Sequence, residues 1–232
     1  IATPENILKI AWLKPHFADS DGNLKALVQS FVIETPSCTV LVDTCVGNKK
    51  ERKDIPEWGD LQTDFLSRLE ERGHKREDID IVLCTHFHFD HVGWNTTLED
   101  GKWIPTFPKA RYVFVEEEFN YWKNRPESEL KDDRAGFTDS VLPVFKAGLV
   151  DLISIDHRIS KEISLISTSG HTPAHVSILI KSGGEQAVIT GDVLHHPCQI
   201  AEPDWETISD TDTKQANLSR KEFLEQFTDA KT

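Results

Sequence analysis

The sequence predicts an α/β protein in which two sheets lie between outer layers of helices. Three observations predict it: strand-like apolar runs recur along the chain, amphipathic helical segments fall between them, and polar clusters follow directly after strands. The chain has 232 residues, 38% of them hydrophobic, and no low-complexity linker marks an internal boundary. We therefore expect one globular domain over residues 1–232.

The predicted elements follow from the spacing of apolar residues. Two apolar runs, Leu27 to Glu34 and Thr39 to Asp43, flank a turn-prone segment and predict a hairpin. Helical spacing from Asp60 to Gly73 predicts a helix with Asp60 as N-cap and Gly73 as its stop. The apolar segment Ile79 to Cys84 predicts a buried strand. Further strands are predicted at 112–115, 149–155, 163–167, 176–181 and 187–190, and further helices at 116–123, 138–148 and 213–227.

The strand at 79–84 leads into His86-x-His88-x-Asp90-His91, which holds four potential metal ligands in six residues. Imidazole and carboxylate groups are the usual ligands of catalytic transition metals. At an extended strand end His86 and His88 would point the same way, and the following turn would bring Asp90 and His91 beside them. Two neighbouring metals are then feasible. The alternative is a chance run of polar residues that caps a loop.

Two later segments repeat the order of strand, glycine and ligand, at Gly170-His171 and Gly191-Asp192. A glycine allows the backbone turn that brings the next side chain inward. Taken alone, His171 could equally be a surface loop histidine and Asp192 a helix N-cap. The upstream histidine run favours the metal interpretation for both.

Through His86 to His91, the Gly-His-Thr-Pro at 170–173 and the Gly-Asp at 191–192, the chain resembles the metallo-β-lactamase fold superfamily of hydrolases. The resemblance implies a four-layered αβ/βα sandwich with a zinc pair, although other divalent transition metals are possible. The ligands it implies are His86, His88 and His171 on one zinc, Asp90 and His91 on the other, and Asp192 bridging. It also implies that Asp43 hydrogen-bonds a ligand histidine, with a plain turn carboxylate as the alternative.

Within the superfamily, the segments 92–95, 106–112 and 191–195 look most like the branch of quorum-quenching lactonases and methyl-parathion-hydrolase-like enzymes. There are two departures. Lactonases of this type often carry a tyrosine where this chain has His195, so His195 is either a catalytic donor to a carbonyl or an ordinary loop residue. The family usually adds a last histidine near its C-terminus, and none follows His196. We therefore expect the native chain to continue past Thr232 into a strand and a histidine that completes the second metal site.

The expected chemistry is metal-assisted hydrolysis by a metal-bound hydroxide, with a lactone or ester as substrate. Asp90 would bind one metal, orient the water and pass a proton to the leaving oxygen. A β-lactamase, phosphotriesterase or thioesterase of the same fold remains an alternative because this fold serves several chemistries. An alternative of another class is a metal-binding module without catalysis.

Charge and composition indicate which classes of binding partner to expect. The formal net charge of −13 repels phosphate backbones and favours small uncharged substrates over nucleic acid. No apolar run approaches the roughly 20 residues of a membrane span. The four cysteines form no CxxC pair, which favours reduced thiols and a cytoplasmic protein.

Overall fold

The computed structural model describes residues 1–126 and 131–228. The chain divides into two compact units, one of residues 28–154 and one of residues 1–27 with 155–232. The strands are β1 (Phe31–Glu34), β2 (Thr39–Val42), β3 (Ile81–Leu83), β4 (Thr96–Glu99), β5 (Lys102–Pro105), β6 (Arg111–Val115), β7 (Val150–Ile153), β8 (Ile163–Ser167), β9 (Val176–Ser182) and β10 (Glu185–Ile189). The α-helices are α1 (Pro4–Lys9), α2 (Phe65–Glu71), α3 (Phe89–Val92), α4 (Glu116–Asn124), α5 (Lys131–Gly136), α6 (Leu142–Lys146), α7 (Cys198–Ala201) and α8 (Thr213–Phe227).

The unit of residues 28–154 is built on a five-stranded sheet in the order β1-β2-β3-β6-β7. β1 pairs antiparallel with β2, and the other three pairings are parallel. Parallel strands are covered on both faces and are therefore apolar along their length, as in β2, where Val40, Leu41 and Val42 are fully buried. Because β2, β3 and β6 run in one direction, the residues that follow them emerge at the same edge of the sheet. The polar segments after these strands are thereby brought together.

The other unit contains a three-stranded antiparallel sheet in the order β10-β9-β8. Its longest helix, α8, covers the residues that the sequence predicts. The buried residues of α8 are Ala216, Ser219, Arg220 and Phe223, whose spacing of three or four places them on one helix face. Among the described residues, no helix is long and apolar enough to cross a membrane.

Several predicted boundaries shift for local reasons. The helix predicted from Asp60 begins only at Phe65, since Asp60 adopts a left-handed backbone (φ +51°) that a helix cannot include. Gly73, at φ +93°, lies just beyond the helix end, as predicted. The helix predicted over 138–148 is a π-helical segment over 137–141 followed by α6, whose Pro143 lacks the N–H that a continuous helix needs. The prediction omitted the β4–β5 hairpin.

A charged side chain is enclosed in the 28–154 unit. Lys50 is fully buried, and its ammonium donates to Thr96 Oγ1 at 2.9 Å and to Asp139 Oδ1 at 3.3 Å. The same ammonium lies 3.6 Å from the centre of the Trp103 ring, a cation–π contact. Burial lowers the pKa of Lys50 to about 8, although the Asp139 carboxylate opposes this shift.

At Gly93 two backbone segments of this unit approach closely. Its N–H donates to the Cys45 carbonyl at 2.6 Å, and a Cβ at residue 93 would lie 1.9 Å from the backbone carbon and oxygen of Val46. Gly93 itself has ordinary helical torsions (φ −58°), so the need for glycine here is steric. This contact holds the segment after β2 against the segment after α3.

Gly93→Ala is therefore expected to lower the free energy of unfolding by more than about 3 kcal/mol, because the backbone of residues 46–47 must move to admit a methyl group. Denaturant titration of the metal-free protein measures this loss. The control is Gly101→Ala, where φ is +73° but no atom lies within 4 Å of the added carbon. This variant should lose about 1 kcal/mol, from backbone strain alone. Equal losses in the two variants would contradict the steric explanation.

Candidate metal centre

The first cluster of candidate ligands stands at the carboxyl edge of the five-stranded sheet. Asp43 follows β2 directly, and the histidine run follows β3, which ends at Leu83. His86 and His88 therefore lie in a loop. The prediction that they point the same way because they stand at an extended strand end is wrong in its reason, since the strand has already ended. Their ring centroids are nevertheless 4.6 Å apart, and the His91 ring, carried by α3, lies 4.1 Å from that of His86. Ligand atoms of His86 and His88 lie within 4.8 Å of each other.

The Asp43 carboxylate organises this cluster. Its Oδ1 accepts the Thr85 N–H at 2.8 Å, and its Oδ2 accepts the Thr85 hydroxyl at 2.9 Å and the His91 Nδ1–H at 2.8 Å. The Thr85 hydroxyl has one proton, which it gives to Asp43, so it accepts from His86 Nδ1 at 3.0 Å. Both histidines thus carry their proton on Nδ1 and present Nε2 with its lone pair, which is the form that binds a metal. The predicted role of Asp43 agrees with this geometry.

The remaining residues of the first cluster are held by α3 and α4. The Asp90 carboxylate is about one-fifth exposed and lies 3.6 Å from His91 Nε2. The His88 ring meets the Trp122 ring edge-on, with centroids 5.7 Å apart. Glu118, buried in the first turn of α4, accepts hydrogen bonds from the Phe87 N–H at 3.2 Å and from the Trp122 indole at 2.8 Å. Glu118 therefore anchors both the loop that carries His86 and His88 and the ring that packs on His88.

The second cluster lies wholly within the other unit, where two glycines make the turns that the sequence predicts. Gly170 has φ +132° and Gly191 has φ +54°. His171 Nε2 lies 3.3 Å from Asp192 Oδ2, and His195 Nε2 lies at the same distance from that oxygen. The rings of His171 and His195 are 4.6 Å apart. The structure thus places His195 beside a candidate ligand pair.

A chain of hydrogen bonds fixes the backbone of Asp192. The Asp192 N–H donates to His175 Nε2 at 2.9 Å, so His175 carries its proton on Nδ1 and donates it to Thr168 Oγ1 at 2.8 Å. The Thr168 hydroxyl then donates to Ser177 Oγ at 3.0 Å, which donates in turn to the Thr190 carbonyl at 2.7 Å. Each donor and acceptor has one consistent direction, so His175 sets the position of Asp192 through its backbone.

No pattern in the sequence indicates Asp210, which forms a further carboxylate–histidine contact. Its Oδ1 lies 3.0 Å from His171 Nδ1, and its side chain is completely buried. Burial raises the pKa of Asp210, and the charges of His195 and Arg220 oppose this shift. Asp210 and His171 are 39 positions apart in the sequence, which explains why no local pattern marks the pair.

The donor chemistry of both clusters suits a divalent transition metal. His86, His91 and His171 all use Nδ1 for a protein partner, and carboxylates are present in both clusters. Comparison with known proteins gives the family: residues 26–229 match the model of the metallo-beta-lactamase superfamily. The chain belongs to this superfamily. The predicted superfamily and its α/β fold are thereby confirmed, and a divalent metal is implied.

Individual relatives are distant. The chain is 28% identical over 153 residues to the gamma-lactamase MBL2 of Gibberella moniliformis, a match covering 59% of each chain. It is 25% identical over 174 residues to an N-acyl homoserine lactonase of Bacillus cereus, covering 69% of this chain and 61% of that one. Among solved structures, AidC, a dizinc quorum-quenching lactonase, superposes with a TM-score of 0.78 at 22% identity over 98% of this chain and 76% of its own. The chain thus matches about three fifths of the length of these curated relatives.

Asp43→Asn should weaken zinc binding roughly 10- to 100-fold, because an amide nitrogen cannot accept the hydrogen bonds that the carboxylate receives from Thr85 and His91. Asparagine tolerates the left-handed backbone of residue 43 (φ +53°), so the loss is not one of backbone strain. Competition with a chromophoric chelator measures the affinity. The matched control is Asp100→Asn, which makes the same charge change at an exposed residue of similar φ (+48°) and should leave zinc binding unchanged. Equal affinities for both variants would refute this role of Asp43.

Proposed function

We propose that this protein is a metal-dependent hydrolase of lactones or esters with a two-metal centre. The proposed ligands are His86, His88 and His171 for one metal, Asp90 and His91 for the other, and Asp192 shared by both. The observation that carries the proposal is the pre-set orientation of the imidazoles: in both clusters a carboxylate behind the ring holds the proton on Nδ1. Membership of a superfamily of metallo-hydrolases supports it further.

When bound, zinc or another divalent ion polarises the scissile carbonyl and lowers the pKa of a bound water. The protein's own side chains orient the ligand imidazoles and transfer the proton of the attacking water. Asp43 and Thr85 keep His86 and His91 fixed. The partly exposed Asp90 carboxylate accepts a proton from the attacking water and returns it to the leaving oxygen.

His195 is proposed as a donor to the substrate oxygen. Within the described part of the chain, neither of its ring nitrogens makes a hydrogen bond, although Nε2 lies 3.3 Å from Asp192 Oδ2, and both nitrogens are buried from solvent. An imidazole at this place can donate to the carbonyl oxygen or to the alkoxide that leaves. The resemblance to lactonases implies a tyrosine, another hydrogen-bond donor, at this position.

The substrate class follows from charge and from an apolar groove in the 28–154 unit. The groove has a volume of about 320 Å³, and its lining includes Val28, Val46, Leu61, Phe65 and Trp94. Phe65 and Trp94 stack with centroids 5.3 Å apart. Apolar walls and the net charge of −13 favour an uncharged substrate with an apolar portion. The lactonase named above supports a lactone, and the gamma-lactamase supports a lactam as the second candidate.

Hydrolysis of a substrate panel tests the proposal, with acyl lactones, aryl esters, γ-lactams, phosphotriesters and a chromogenic cephalosporin as its members. We expect turnover of lactones or esters that a chelator abolishes and zinc restores. Asp90→Asn should lower kcat more than about 100-fold, since it removes a ligand and the proton carrier. The control Asp100→Asn should retain full activity. Metal binding without turnover of any panel member would favour a module without catalysis.

His195→Ala should reduce kcat on lactones more than on activated aryl esters, because a poor leaving group depends more on a positioned hydrogen-bond donor. Steady-state kinetics on a matched lactone and aryl ester measure the two losses. The control is His157→Ala, which removes an exposed imidazole from the same unit. Equal losses on both substrates would assign His195 a structural role instead.

A further inference from the structure

We infer that Asp210 is a positioning residue that fixes the ring of His171 for metal binding, and that Arg220 fixes Asp210 in turn. The inference rests on the proposed function only in taking His171 as a metal ligand. All the residues that carry it belong to one unit, residues 1–27 with 155–232.

The contact between Asp210 and His171 bears on which ring nitrogen carries the proton of the neutral imidazole. Asp210 Oδ1 lies 3.0 Å from His171 Nδ1, and both side chains are buried. A carboxylate can only accept, so Nδ1 donates, and in the neutral ring the lone pair is then on Nε2. Nε2 is also the nitrogen that faces Asp192, at 3.3 Å. Both ring nitrogens thus face a carboxylate, and in the neutral ring the nearer one, Asp210, holds the proton on Nδ1 and leaves the lone pair of Nε2 for a metal.

Arg220 constrains the orientation of the side chain at residue 210. Its guanidinium is completely buried, and one terminal nitrogen lies 3.6 Å from Asp210 Oδ2. The other guanidinium nitrogens donate to acceptors on three segments: Val193 O at 2.9 Å, Pro203 O at 2.8 Å, Trp205 O at 3.2 Å and Asn217 Oδ1 at 2.7 Å. A guanidinium has donors only and keeps its charge. At 3.6 Å the pair is an ion contact and not a hydrogen bond, and neither atom has a hydrogen-bond partner among the described residues, so the buried charge of Arg220 favours a side chain at 210 that directs an acceptor toward it.

The backbone around the pair is also held in place. The Thr211 N–H donates to the His171 carbonyl at 2.9 Å, and the Asp212 N–H donates to the Gly170 carbonyl at 2.9 Å. A Cβ at residue 170 would lie 2.2 Å from the Ala216 nitrogen, so the turn before His171 packs directly on α8. Asp210 is thus carried by a segment that is hydrogen-bonded to the backbone of the residue it orients.

These facts predict the effect of Asp210→Asn. Arg220 requires an acceptor, so the asparagine will turn its oxygen toward Arg220 and its amide group toward His171. An amide N–H facing Nδ1 makes that nitrogen the acceptor and moves the ring proton to Nε2. The variant differs from the natural residue by one atom, yet it should hold His171 in the tautomer that cannot bind a metal through Nε2.

Ring-nitrogen NMR of the metal-free protein tests the inference, at a pH above the titration of the ring, with the His171 signals assigned by their loss in His171→Gln. We expect the proton on Nδ1 in the natural protein and on Nε2 in Asp210→Asn. Zinc affinity, measured by chelator competition, should fall roughly 10- to 100-fold in this variant. The matched control is Asp212→Asn, which changes the charge two residues away but keeps a good N-cap for Gln215 N–H, and it should change neither measurement.

A proton on Nε2 of His171 in the natural protein would overturn the inference, and this measurement needs no variant to fold. Wild-type zinc affinity together with an unchanged Nδ1 proton in Asp210→Asn would also overturn it. Failure of the proposed function is distinguishable from failure of this inference. Absence of turnover in the substrate panel would refute the proposed hydrolysis but would not change the position of the ring proton.

Discussion

The hydrogen bonds that converge on the Asp43 carboxylate are the constraint on which the first cluster depends. They tie the end of β2 to the loop after β3 and to α3, and each hydrogen bond to a buried charge contributes about 1.5–3 kcal/mol. The geometry requires a left-handed backbone at residue 43, which costs about 1–2 kcal/mol and which aspartate tolerates better than most residues. The close approach of Gly93 to Val46 also holds the segment after β2 against the segment after α3.

In both clusters a buried carboxylate orients a candidate ligand histidine. A histidine ligand needs a fixed tautomer and a fixed ring plane before the metal arrives, and a buried carboxylate behind the ring supplies both. Asp43 does this for His91, and the contact of Asp210 with His171 has the same form. In the second cluster the turns at Gly170 and Gly191 take the place of the strained turn at Asp43. Part of the ordering that metal binding would require is already complete in the folded protein.

The sequence predicted what depends on local spacing. The extent of α8, the hairpin of β1 and β2 and the grouping of His86 with His91 all follow from neighbours along the chain. The Asp100-Gly101 turn between β4 and β5 is likewise a local signal for a hairpin. Contacts across long separations gave no signal, as with Asp210. Helical periodicity identifies the buried face of α8 but does not predict that Arg220 fills it, because a charged residue is buried only where several acceptors meet.

The enclosure of Lys50 has a consequence for chemical labelling. Its ammonium lies against the Trp103 ring and is hydrogen-bonded to Thr96 and Asp139, so an acylating reagent cannot reach it in the folded unit. Reaction requires that the β4–β5 hairpin first separate from the segment that carries Lys50. The exposed lysines of the chain react without such an opening. The labelling rate of this one amine, relative to theirs, would therefore report the free energy of a local opening beside the sheet, separately from global unfolding.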